Sequence, residues 1–184
     1  ILDKNGNAIA LTVTLNGGYG SGMVSEKFGI ALNNEMDDFT TRPGQPNMFG
    51  LIQGEANSVE PNKRPLSSMS PTLVEKDGET ILVVGAQGGP KIISNVLQVI
   101  YRHLATNLDI DQAIQAPRIH HQFLPNKLMV EANRFNPELV TLLSKIGHDI
   151  QISDMGKVYA VSLDKNDLLS AAFDSRSEGA AGGF

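Results

Sequence analysis

The chain has 184 residues, 41% of them hydrophobic and 19% charged, with a formal net charge of −5. Those figures fit one globular domain, 1–184, with a sizeable core, and the acidic balance without any basic run excludes nucleic acid as a partner. No apolar run approaches membrane-spanning length, and zero cysteines exclude disulfides and thiolate metal sites while leaving the redox compartment open.

The sequence opens on Ile1-Leu2-Asp3-Lys4 without an initiator methionine or a signal peptide, as expected of a processed piece or of a sequence given without its upstream residues. Asn7 to Leu15 alternates with β-branched residues after the turn Lys4-Asn5-Gly6 and predicts a strand, broken by the glycine-rich run Gly17 to Gly22. Gly29 to Leu32 predicts a short strand leading into an acidic loop. From Asn33 to Ser70 prolines and glycines recur without periodicity, and a loop that long is usually functional or pinned by a partner. Thr72 to Glu75 and Thr80 to Val84 flank Asp77-Gly78 and predict a hairpin.

Gly85 to Pro90 ends the second of these strands and opens a helix, in which Ile93, Val96, Leu97, Ile100 and Leu104 recur at helical spacing. A short helix from Asp109 to Gln115 is stopped by Pro117. Arg118 to His121 and Lys127 to Glu131 read as strands around a turn at Pro125-Asn126. Asn136 is an N-cap with Pro137 at the first helical position, and Leu139, Leu142, Leu143 and Ile146 form the expected buried stripe before Gly147. Val158 to Leu163 and Leu168 to Phe173 flank the turn Asp164-Lys165-Asn166, and Ser175 to Phe184 is a polar, glycine-rich tail. Strands, then helices, then strands again predict an α+β layered arrangement with an antiparallel sheet covered by helices.

Two irregular runs concentrate chemistry. Asn33-Asn34-Glu35-Met36-Asp37-Asp38-Phe39 crowds three carboxylates and two amides, and Pro65-Leu66-Ser67-Ser68-Met69-Ser70-Pro71 brackets hydroxyls with prolines. Acids suit an ammonium, whereas hydroxyls and backbone N–H groups suit a carboxylate, so the pair suits a small zwitterion. Gly88-Gly89 stands at a strand-to-helix junction, where bare N–H groups can approach a ligand as in an oxyanion hole. Thr14 and Asn16, two apart on the expected strand, present a hydroxyl and an amide to one side. His120 and His121 point to opposite faces of a strand, which does not suit a zinc pair, and the acidic run lacks the calcium-loop pattern.

ALNNEMDDF (Ala31 to Phe39), PNKRPLSSMSPT (Pro61 to Thr72), GAQGG (Gly85 to Gly89) and APRIHHQ (Ala116 to Gln122) together resemble the small subunit of γ-glutamyltranspeptidase, an N-terminal nucleophile hydrolase. The likeness runs from Asp3 to the tail. It implies an αββα sandwich, and a heterodimer with a large subunit made by self-cleavage of one precursor. No cofactor or metal is expected. It also implies a new N-terminal threonine that attacks γ-glutamyl amides such as glutathione with its own α-amine as base. That threonine is expected in a Thr-Thr-His-like segment just ahead of Ile1.

Carried over by position, the resemblance implies that Thr14 orients the nucleophile through a hydroxyl hydrogen bond. Asn16, Glu35 and Asp38 would hold the donor's α-ammonium, Ser67 and Ser68 its α-carboxylate, and Gly88 and Gly89 would donate to the oxyanion. The large subunit would add an arginine to the carboxylate pocket. The acyl group would pass to water or to an amino-acid or peptide acceptor, and the family's export implies the periplasm or cell exterior. The alternatives are a non-catalytic glutamate-binding subunit, and a relative acting on β-lactam side chains or poly-γ-glutamate.

Overall fold

The computed structural model describes residues 1–164, 166 and 168–183. The chain divides into two compact units, one formed by Ile1–Thr12, Met69–His121 and Asn126–Phe184, the other by Val13–Ser68 and Gln122–Pro125.

Among the described residues, the first unit holds the named strands and the α-helices. Strands β1 (Thr72–Lys76) and β2 (Glu79–Gln87) form the expected hairpin. Asp77 and Gly78 have φ of 53° and 88°, the pair of positive values that a tight hairpin turn requires. β6 (Lys157–Leu163) and β7 (Leu169–Phe173) complete an antiparallel sheet in the order β1-β2-β6-β7; the Lys165 position of the turn joining them lies outside the described residues. Helix α1 (Lys91–Ala105) and helix α2 (Ile110–Gln115) cover one face. Leu82, Val84, Ala86, Val158, Ala160 and Ala172 meet Ile92, Val96, Val99, Ala113 and Ile114 there to make the core. α2 starts at a capping box, with the Gln112 N–H donating to Asp109 at 2.7 Å and the Asp109 N–H to Gln112 at 3.2 Å.

A second, smaller sheet has the order β3 (Ile119–His120), β4 (Leu128–Glu131), β5 (Ile150–Ser153), with β3 antiparallel and β5 parallel to β4. Helix α3 (Pro137–Lys145) runs between β4 and β5, capped at Asn136, which accepts the Glu138 N–H at 2.8 Å.

Several expectations are corrected. Asn7 to Leu15 forms no strand: apart from single bridges at Leu2–Ala8 and Val24–Ala31, neither it nor Gly29 to Leu32 joins a described sheet. Alternation specifies a pleated face, but a strand also needs a neighbour, and Ile9, Leu11 and Val13 stay exposed. On α1 the sheet takes the face one residue round, so Ile92, Val96 and Val99 are buried while Ile93 and Leu97 are 54% and 63% exposed. Leu139 and Leu142 of α3 and its C-cap Ile146 are exposed as well, and no α3 residue is fully buried. β5 was not foreseen, because its four residues Ile-Gln-Ile-Ser carry too short a pattern to register.

Beneath α2 and β4 lies a buried ionic network. Arg118 and Asp174 are fully buried and paired at 2.5 Å, and Asp174 also accepts the Val158 N–H at 2.9 Å and Arg176 Nη1 at 2.9 Å. Glu131 takes Arg176 Nε and Nη2 and the Arg118 N–H. Burial alone would raise the Asp174 carboxyl, but hydrogen bonds from Arg176, then the Arg118 charge and the Val158 N–H, hold it below the usual range. Asp174→Ala should therefore cost about 3–5 kcal/mol by stranding Arg118 in the core, read as a lower urea midpoint. Because this carboxyl's folded pKa is depressed, its contribution is present above the unfolded value of 3.8 and is lost as pH falls through the folded one.

Candidate active site

Six of the eight residues singled out from the sequence lie in the second unit, on loops tied together by side-chain amides. Thr14 is exposed, and its Oγ1 accepts the Asn16 N–H at 2.7 Å. Asn16 sits at φ 70°, a conformation asparagine tolerates, and its amide donates to the Asn34 carbonyl at 3.2 Å. Asn34 completes the tie: its Oδ1 accepts the Gly17 N–H at 2.8 Å and its own N–H donates to the Leu15 carbonyl at 3.1 Å. The glycine run approaches the acidic run so closely that a Cβ on Gly20 would stand 2.2 Å from the Leu32 carbonyl oxygen.

Glu35 to Asp38 forms a single 3-10 turn, which puts residues i and i+3 on one side. Asp37 is spent on structure, with its Oδ2 accepting the Met48 N–H at 3.1 Å. Glu35 and Asp38 are the first and last residues of this turn, which sets their carboxyls beside each other. Burial first, then the neighbouring Glu35 carboxyl and the negative charge of Asp37, push the half-buried Asp38 carboxyl up to about 6. Two carboxylates so close favour either a shared proton or a cation.

Asn57, on the second 3-10 turn (Glu55–Asn57), connects the acidic turn to the serine run. Its Nδ2 donates to the Asp38 carbonyl at 2.7 Å while its Oδ1 accepts the Leu66 N–H at 3.0 Å. One half-buried amide thus fixes both the backbone of Asp38 and the residue preceding Ser67-Ser68. Gln53 supports it from the side, donating to the same Asp38 carbonyl at 3.3 Å. Asn57 has no role in the sequence reading, and Asn34 enters it only as one of two amides in the acidic run. Their signal was weak, since asparagine in a loop usually caps a turn. A cleft of 280 Å³ also opens in this unit, lined by Asp37, Phe39, Arg42 and Gln53 among others, but Glu35 and Asp38 do not line it.

Gly88 and Gly89 lie in the first unit, between β2 and α1, with φ of 138° and 58°. Their carbonyls accept the Lys91 and Ile92 N–H groups at 3.3 and 3.1 Å. Their own N–H groups are absent from the backbone hydrogen bonds of turns and loops among the described residues. A strand end, two left-handed glycines and a helix start thus make an N–H-bearing corner, with Gly88 exposed. His120 is buried with Nδ1 2.8 Å from Ser94 Oγ, as expected of a structural histidine, whereas the exposed His121 reaches Asn126 at 3.1 Å.

The family model described as gamma-glutamyltranspeptidase matches residues 1–184. The glutathione hydrolase proenzyme of Escherichia coli strain K12 is 47% identical over 178 residues, covering 96% of this chain but 30% of the relative's length. Among solved structures, a chain of a mutant Helicobacter pylori γ-glutamyltranspeptidase superposes with a TM-score of 0.91 at 42% identity, over 96% of this chain and 97% of that one. The Pseudomonas nitroreducens γ-glutamyltranspeptidase complexed with L-DON gives a TM-score of 0.95 at 37% identity, over 100% and 97%. The chain therefore spans less than a third of the curated relative's length and nearly the whole of each solved chain. The α+β expectation holds, with the N-terminal nucleophile hydrolase fold of these neighbours. This chain belongs to the γ-glutamyltranspeptidase family.

Proposed function

We propose that this chain is the small subunit of a self-cleaved enzyme that hydrolyses or transfers the γ-glutamyl group of glutathione and similar amides. The observation that carries the reading is the Glu35–Asp38 pair, two carboxyls on one 3-10 turn whose repulsion a bound ammonium would relieve. Asn57 ties that pair to the serine run, which supports a zwitterionic head held at both ends.

In this mechanism Glu35, Asp38 and Asn16 hold the α-ammonium and Ser67 and Ser68 the α-carboxylate. A threonine from a segment preceding Ile1 attacks the γ-carbonyl carbon, and Thr14 orients it. The hydroxyl proton passes through the threonine's own amine to the leaving nitrogen as the C–N bond breaks. The Gly88 and Gly89 N–H groups stabilise the oxyanion, and water or an acceptor amine then opens the ester.

The large subunit is part of the proposal. Its support is the 30% coverage of a proenzyme and the apolar residues left exposed at Ile9, Leu11 and Val13, on α1 and on α3. Location in the periplasm or outside the cell belongs to the same proposal and is tested by fractionation.

The full-length protein, self-cleaved and purified, should release nitroaniline from γ-glutamyl-p-nitroanilide with a burst equal to its threonine N-termini. Glutamate binding by calorimetry without any turnover would overturn the catalytic reading in favour of a binding subunit.

A further inference from the structure

The segment joining β5 to β6 carries an unusual set of contacts. Three successive carbonyls, those of Asp154, Met155 and Gly156, each accept a side-chain donor. Lys91 Nζ reaches the Asp154 oxygen at 2.5 Å and Ser153 Oγ at 2.8 Å. Asn95 Nδ2 donates to the Met155 oxygen, and Arg118 Nη2 to the Gly156 oxygen at 3.3 Å. Lys91 and Asn95 are one helical turn apart, at the start of the helix that Gly88-Gly89 opens.

The clasped segment in turn backs the glycine corner. A Cβ on Gly156 would stand 2.1 Å from the Gln87 carbonyl oxygen and 2.9 Å from Gly88 Cα, and a Cβ on Gly88 would stand 3.1 Å from Gly156 Cα. The two backbones are therefore in direct contact, with no side chain between them to absorb a shift.

Asn95 is an expensive way to fill space. It is fully buried, and its Oδ1 has no hydrogen-bond partner, whereas a leucine of similar volume would bury no orphaned acceptor. The Met155 carbonyl is what the amide obtains in exchange. The Lys91 ammonium is likewise half-buried, and burial depresses its pKa against the favourable charge of Asp154.

We propose that Lys91 and Asn95 are positioning residues for the oxyanion corner: by clasping the Asp154 and Met155 carbonyls they press Gly156 against Gly88 and fix where the Gly88 and Gly89 N–H groups point. The inference rests on the reading of those N–H groups as oxyanion donors. Both side chains are committed to the β5–β6 segment, Lys91 to Ser153 and Asp154 and Asn95 to Met155. Their effect falls on the charge that develops during reaction, and donors displaced by a fraction of an ångström lose their transition-state role.

The test uses the self-cleaved full-length protein carrying Lys91→Met, Lys91→Arg or Asn95→Leu, with rates normalised to the nitroaniline burst. Lys91→Met and Asn95→Leu are expected to lower kcat roughly 10-fold or more with KM within about twofold. Affinity for a boronic acid analogue of glutamate, which forms a tetrahedral adduct, should fall by the same factor, while glutamate affinity stays. Lys91→Arg, which keeps a cationic donor, should restore most of kcat.

Unchanged kcat per active site in Lys91→Met, with only the melting temperature lowered, would overturn the proposal. Should Asn95→Leu fail to fold, Lys91→Met and its arginine rescue decide alone. Gly88→Ala separates the two layers. Lost kcat there with intact Lys91→Met sinks the clasp alone, whereas intact kcat in both sinks the oxyanion reading and the clasp with it.

Discussion

Replacing Gly88 with alanine is expected to lower kcat for γ-glutamyl hydrolysis by roughly 10²-fold or more, with KM for the donor nearly unchanged. At φ 138° an alanine is strained, and its Cβ would press on Gly156 Cα at 3.1 Å. Gly156 cannot retreat, because it is already wedged against the Gln87 carbonyl at a spacing no Cβ would tolerate. The strain must therefore rotate the Gly88 peptide, which carries one of the two proposed oxyanion donors. In the proposed mechanism the glutamyl head is held by Asn16, Glu35, Asp38, Ser67 and Ser68 and not by Gly88, so KM serves as the internal control. Burst-normalised kinetics with γ-glutamyl-p-nitroanilide measure both constants. A variant with parental kcat and only a lowered melting temperature would reduce Gly88 to a turn former.

Asp38→Asn should act on the opposite constant. A charge-assisted hydrogen bond to the ammonium is worth about 1.5–3 kcal/mol, so donor KM is expected to rise roughly 10- to 150-fold with a smaller change in kcat. The wild-type protein should also show a pH signature. The unliganded Asp38 carboxyl is raised to about 6, by burial first and then by Glu35, and an ammonium can use it fully only when it is ionised. Below pH 6 donor binding must displace a proton, so apparent KM should climb towards tenfold per pH unit, and Asp38→Asn should flatten that slope. A flat KM profile from pH 5 to 8 would remove the carboxyl pair from donor recognition.

Stability carries the reverse sign at this position. A carboxyl raised from 3.8 to about 6 stabilises the fold fully below the unfolded value and loses that contribution as pH rises through about 6. Asp174 does the opposite, as its folded value is depressed. The acidic turn is therefore a place where stability is given up at neutral pH, in keeping with a site that is completed by a cation.

Local chemistry was legible wherever a short stretch decides the outcome. Asp77-Gly78 sets its own hairpin, Asn136-Pro137 its own helix start, and Gly88-Gly89 its own strand-to-helix corner, because each depends on φ preferences and nearby hydrogen bonds. The acidic and serine runs were legible as chemistry too, since their residue types have no use in regular structure. What failed were the faces. Ile92 and Ile93 are equally apolar neighbours, and periodicity cannot tell which of two adjacent stripes on α1 meets the sheet. Asn7 to Leu15 carries strand alternation without a partner strand among the described residues, because pairing is a property of two segments and the sequence of one cannot supply the other.

The sequence by itself determined the α+β class through the order of its elements, and the family and the residue types of the proposed site through motifs whose resemblance survives any packing. Only the tertiary structure decided that Asp37 is a scaffold while Asp38 shares a turn with Glu35, and that Asn57 links the acids to the serines. It alone revealed that Lys91 and Asn95 hold the segment behind Gly88. These are hydrogen bonds between residues 9 to 63 positions apart, and no local preference encodes which distant carbonyl a given amide will meet.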